Sequence, residues 1–168
     1  MAARFTSLLA GLALATTVQA QPLDARDLPL KMALSNLYPE AAYNTAGHAC
    51  PQRFPEDAAR WAESMAAWKT RHAALLADLR DLDAQLSAAV KAAPTSSLLT
   101  QEELVGLRTS AAVWVLGGLA EASDPQARKL CDALRGRLDG DEAPAQAAIE
   151  QARAAAREIL GRLRAEPH

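Results

Sequence analysis

Residues 56–92 read EDAARWAESMAAWKTRHAALLADLRDLDAQLSAAVKA, and the spacing within this stretch decides the fold class. Its large apolar side chains fall at Trp61, Met65, Trp68, Leu75, Leu79, Leu82 and Leu86, with His72 in the one seam position between Trp68 and Leu75. Alternating steps of four and three keep one face of a helix apolar, which predicts a single helix over 56–92 packed nearly parallel to its neighbours. Asp57, Glu63, Arg71, Asp78, Arg80, Asp81 and Lys91 fall on the other faces. Pro94 ends the pattern, because a proline cannot supply the next backbone donor.

Composition agrees with this reading. The chain has 168 residues, with 40 Ala and 25 Leu against 5 Val, 2 Ile and 7 aromatic residues. Too few β-branched and aromatic side chains remain to cover a sheet, whereas Ala and Leu are strong helix formers. The expectation is an all-α protein of one domain, a four-helix bundle-like core with an irregular, Pro-rich N-terminal cap of short helices. A net charge of −2 with both signs interspersed removes the basis for a nucleic-acid surface.

Residues 1–20 have the layout of a cleavable secretory signal peptide. Arg4 precedes an uncharged run from Leu8 to Ala15, and Val18 and Ala20 put small residues before a cut ahead of Gln21. The run is shorter than the ~20 apolar residues that span a bilayer. The expected product, residues 21–168, is exported to the periplasm or the extracellular space. In an oxidising compartment Cys50 and Cys131 read as a disulfide. The competing use is a thiolate beside His48. With His72 and Cys131 such a set offers four possible zinc ligands, and His48 and His72 alone are the weak metal alternative if the cysteines pair.

Downstream of the leader, Pro22, Pro29, Pro39, Pro51 and Pro55 divide residues 21–55 into short pieces, one from Pro29 to Leu37 and one from Pro39 to Ala46 that Gly47 stops. Thr100 with Glu103 forms a capping box at the head of a helix over 100–122. Its stretch Ala111–Ala120 is apolar all round, so this is expected to be the most buried helix, and Gly117-Gly118 to admit a close neighbour. Ten apolar residues between Arg108 and Glu121 are too few for a membrane span. Asp124-Pro125 opens a helix over 124–139, with Ala127, Leu130, Cys131, Leu134 and Leu138 inward. The last helix, 143–165, carries Ala145, Ala148, Ala152, Ala155, Ile159 and Leu163 on its seam.

Chemistry-bearing patterns are sparse. The sequence has no C-x-x-C-H for haem, no His pair at i, i+4 for zinc, no glycine-rich phosphate loop and no G-x-S-x-G elbow. No cofactor is implied. One stripe could hold a ligand: Trp61, Trp68 and His72, with Arg71 beside them, joined by Arg108 as an inward cation. The same residues serve equally as bundle core. The sequence therefore favours a non-catalytic exported protein that binds a protein or envelope component, of inhibitor, immunity or assembly-factor type. The rival is a small-ligand binder or a motif-less all-α enzyme using the Trp61/Trp68/His72/Arg108 region.

Overall fold

The computed structural model describes residues 27–140 and 143–165. The expected signal peptide, residues 1–20, lies outside them. The fold is all-α: helices α1 (Leu28–Leu34), α2 (Pro39–Arg53), α3 (Ala58–Arg71), α4 (Ala73–Ala92), α5 (Gln101–Glu121), α6 (Asp124–Asp139) and α7 (Ala143–Ala165), with 3-10 turns at Ser35–Leu37 and Pro55–Asp57. No strand occurs among the described residues.

The long helix expected over 56–92 is two helices. His72 leaves helical geometry, with φ −107° and ψ 17°, and separates α3 from α4. No proline or glycine causes the break. It lies where the chain passes from one hydrophobic core to another: Trp61 and Trp68 belong to one cluster, Leu79, Leu82, Leu86 and Val90 to the second. At the junction Leu76 enters the cluster of Trp61 and Trp68 while Leu75 packs against the other, a division that one continuous seam could not make.

These two cores replace the single bundle seam. The first gathers α1, α4, the Leu98-Leu99 loop, the start of α5, and α7, with Leu34, Leu86, Leu99, Leu104, Ile159 and Leu163 almost fully enclosed. Of the expected α7 seam, Ala152, Ala155, Ile159 and Leu163 are buried and Ala148 is half-buried; Ala156, not expected there, is buried with them. The second core joins α2, α3, α5 and α6 around Tyr43, Ala46, Trp61, Trp68, Leu119, Leu134 and Leu138. The Cys50–Cys131 disulfide lies within it, with the two Cα atoms 5.9 Å apart.

The N-terminal cap is also more regular than its prolines suggest. α2 runs through Gly47 and Pro51 to Arg53 and packs along α5. Gly47 is not a stop: it continues α2 beside α3, and a Cβ placed there would make an ordinary contact, 3.4 Å, with Met65 Cγ. Thr100 and Glu103 form the expected capping box, with Thr100 N–H donating to Glu103 Oε2 at 2.8 Å and Glu103 N–H to Thr100 Oγ1 at 3.1 Å. At the head of α6 the cap is Ser123, not Asp124. Its N–H and hydroxyl both donate to Gln126 Oε1, which frees the Asp124 carboxylate to pair with Arg53.

Candidate interaction face

α5 is the helix that departs furthest from its sequence. Expected to be the most buried, it hides Leu104, Val115 and Leu119 and leaves Val105, Val113, Trp114 and Leu116 in solvent. Trp114 is 60% exposed and Val113 64%. At 3.6 residues per turn, Gly106, Ser110, Val113 and Gly117 share a line along the outer face. Val105, Thr109, Leu116 and Ala120 flank it on one side and Trp114 on the other. Between Glu103 and Glu121 the only charged residue is Arg108, and it faces inward.

The polar groups on this face are turned back into the helix. Thr109 Oγ1 donates to Val105 O at 3.1 Å, and Ser110 Oγ to Leu107 O at 2.8 Å. Both hydroxyls are thus committed to the backbone, a common use of Ser and Thr inside helices. Among the described residues, nothing beyond the local turn of α5 itself lies within 4 Å of where a Cβ would stand at Gly106 or Gly117, so Gly117 meets no neighbouring backbone. Gly118 does have a neighbour, the Leu130 side chain of α6, at 3.2 Å. Beside the first turns of α5, α1 adds exposed Leu28 and Met32. Together Lys31, Met32, Ser35, Glu103, Gly106, Leu107 and Ser110 line a shallow trough of about 440 Å³.

Charged groups hold both ends of this face in place. Lys31 Nζ lies 2.7 Å from Glu103 Oε1. Burial pushes the Glu103 carboxyl up, but hydrogen bonds from Lys31 and from Thr100 N–H outweigh it and hold the group below its ordinary range. At the other end Arg53 donates to Leu119 O at 2.5 Å and to Ala122 O at 2.8 Å, satisfying carbonyls that the end of α5 leaves free. It also pairs with Asp124 at 2.7 Å. Glu102 and Glu121 are exposed, and among the described residues neither has an ion-pair partner.

The other sequence-nominated residues do not converge. Trp61 and Trp68 are packed into the disulfide-bearing core at 2% and 1% exposure, with the Trp68 ring edge-on to Tyr43 at 4.9 Å. Among the described residues the Trp68 indole N–H finds no hydrogen-bond acceptor. His72 lies half-buried at the α3–α4 junction, its ring 5.6 Å from that of Trp68. Arg71 donates to Leu138 O and closes the end of α6. Arg108 is elsewhere: its Nε donates to Asp83 Oδ1 at 2.9 Å, and its guanidinium also meets Ser87. Asp83 Oδ1 accepts from Tyr38 Oη at 2.7 Å as well, and burial, then that bond, raises the Tyr38 phenol well above its ordinary pKa. The cleft that Arg108 borders is lined by Leu37, Tyr38, Glu40, Leu76, Arg80 and Asp83, and by neither indole nor His72. His48 is exposed on α2, 3.0 Å from the Gln52 amide. Among the described residues no group of three or more His, Cys, Asp or Glu side chains could hold a metal.

Sequence reasoning missed the outer face of α5 and one polar cluster. In the cluster, the buried Asp57 carboxylate lies among Arg60, Arg128 and Arg135, and the Arg128 guanidinium stacks over Phe54 at 4.2 Å. The one sequence signal for the face was the line of small residues, Gly106, Ser110 and Gly117, opposite Leu104, Val115 and Leu119. α5 is also the one described helix long and apolar enough to cross a membrane, while its inner side is committed to protein by Leu104, Val115, Leu119 and the Arg108–Asp83 pair. No family model matches the chain, and no curated protein or solved structure matches it either.

Proposed function

We propose that this chain is an exported, non-catalytic binding protein that engages a protein or envelope component through the outer face of α5. The observation that carries the reading is the run of large apolar side chains, Val105, Val113, Trp114 and Leu116, left in solvent on a helix whose inner side is packed. Monomeric proteins rarely expose contiguous apolar area beyond ~300–600 Å² unless something covers it. The Cys50–Cys131 bond supports an oxidising compartment, and the leader-like residues 1–20 support export. A small-ligand reading built on Trp61, Trp68, His72 and Arg108 has less support, because both indoles are packed among helices and the cleft beside Arg108 is lined by neither of them nor by His72 among the described residues.

The test compares two forms of the purified exported protein as baits for envelope extract, the natural chain and Val113→Glu. The expected result is a polypeptide retained by the first and absent from the second at equal bait folding. Identical capture by both removes the α5 face from the function. Export is checked by the N-terminal sequence of the secreted product, expected to begin at Gln21, with an intact mass two hydrogens below that of the dithiol.

A further inference from the structure

The outer face of α5 has dimensions and charge that narrow its partner. From Val105 to Ala120 it is about 24 Å long at 1.5 Å per residue and about one helix wide. The Leu28–Met32 side of α1 lengthens the strip without making it broad, unlike the patches of ~800 Å² per partner through which globular surfaces form stable complexes. A patch this long and narrow, with a trough between α1 and α5 floored by Gly106 and Ser110, fits one helix laid alongside. The missing Cβ atoms at Gly106 and Gly117 let that helix come close.

The ends of the face are acidic. At the N-terminal end Lys31 neutralises Glu103 and leaves Glu102; at the C-terminal end Arg53 neutralises Asp124 and leaves Glu121. No Lys or Arg points outward between them. A second copy of this chain would set acid against acid, Glu102 near Glu121 if antiparallel and each beside itself if parallel. An anionic bilayer is opposed for the same reason, since interfacial helices bind it through basic flanks.

Resting on the reading of α5 as a binding face, we infer that its partner is an amphipathic helical protein segment of about four turns with an uncharged apolar stripe and a Lys or Arg at each end. The apolar stripe supplies the affinity. The two basic ends select the partner and its register through Glu102 and Glu121.

Trp114 provides the readout, because Trp61 and Trp68 are already buried and their emission has little to gain from a bound helix. The probes are three synthetic 16-residue amphipathic peptides with one apolar stripe and Lys, Gln or Glu at both ends. The Lys-ended peptide is expected to shift the Trp114 emission to the blue and to bind about tenfold more tightly than the Glu-ended one at low salt. That gap should close in about 0.5 M salt, where exposed charges are screened. Glu102→Gln with Glu121→Gln should erase the preference and keep the binding.

Equal affinity for the Lys- and Glu-ended peptides overturns the inference, as does binding of none of the three. A blue shift produced by raising the protein concentration alone, or by phosphatidylglycerol vesicles in place of peptide, overturns it in favour of a second copy or a membrane. Loss of envelope capture by Val113→Glu together with any of these results defeats the basic-ended partner and leaves the binding face standing. Unchanged capture and unchanged peptide binding by Val113→Glu defeat both.

Discussion

Asp83 Oδ1 accepts from Arg108 Nε at 2.9 Å, a contact that ties α4 to α5. Both side chains are about two-thirds buried or more, so the pair is screened less than a surface bridge. Asp83→Ala leaves the Arg108 guanidinium partly buried without its carboxylate and removes the Tyr38 acceptor. The expected loss is about 1–3 kcal/mol in urea unfolding. A double-mutant cycle with Arg108→Ala should show coupling; additive losses would mean that the pair is held by packing alone.

Cys50 and Cys131 close a loop across 81 residues of sequence. On the chain-entropy model a loop of that length contributes up to ~4.5 kcal/mol, and commonly 2–4. Cys50→Ala with Cys131→Ala should therefore lower the denaturant midpoint substantially, and a reductant should do the same to the natural chain. A midpoint unmoved by either treatment would show that the unfolded chain gains nothing when the bond is lost.

Substitutions on the two sides of α5 should separate cleanly. Leu104→Ala removes a fully buried side chain and should cost about 2–5 kcal/mol. Val113→Glu, in solvent, should change stability by no more than about 0.5 kcal/mol. A large loss at Val113, read by thermal unfolding, would place that side chain against protein.

Ala152 and Ala156 on α7 are fully enclosed, whereas Ala154 is exposed. Leucine at either buried position should overpack the α1–α4–α7 core by about 1–3 kcal/mol, with Ala154→Leu as the neutral control. Equal tolerance at all three positions would argue that α7 does not pack closely.

The Glu103 carboxylate adds acid sensitivity. Its folded pKa lies below the ordinary 4.5, so its contribution is present above the unfolded value and is lost as pH falls through the folded one. Melting temperature should decline from about pH 5 to pH 3, and Glu103→Gln should make that decline shallower. The carboxylate is more than a third exposed, so the difference will be small. A steeper decline in the variant would reverse the sign assigned here.

The helical class, the capping box at Thr100 and the small-residue seam of α7 were legible because each rests on local spacing. The disulfide followed from the expectation of export and an even cysteine count. The break at His72 was not legible, because no residue type there disfavours a helix; the division of the molecule into two cores imposes it. α2 was misread for the opposite reason. Gly47 and Pro51 are helix breakers by propensity, but Tyr43, Ala46 and Cys50 bury one face of the helix and outweigh them. α5 was misread because an all-apolar stretch has no polar side to mark the outside. Only its neighbours decide which residues are covered, and Arg108 turns inward because Asp83 and Ser87 lie on α4.

The division at His72 also separates what the disulfide can restrain. Both cysteines belong to the α2–α3–α5–α6 core, and none lies in the core of α1, α4 and α7. α1 and α7 contribute only to the core without the crosslink, so local opening of these two helices is expected to leave the disulfide unstrained. Amide protons in α7 should exchange with solvent at lower free energy than those around Cys50 and Cys131. Reduction should narrow that difference from the stable side only.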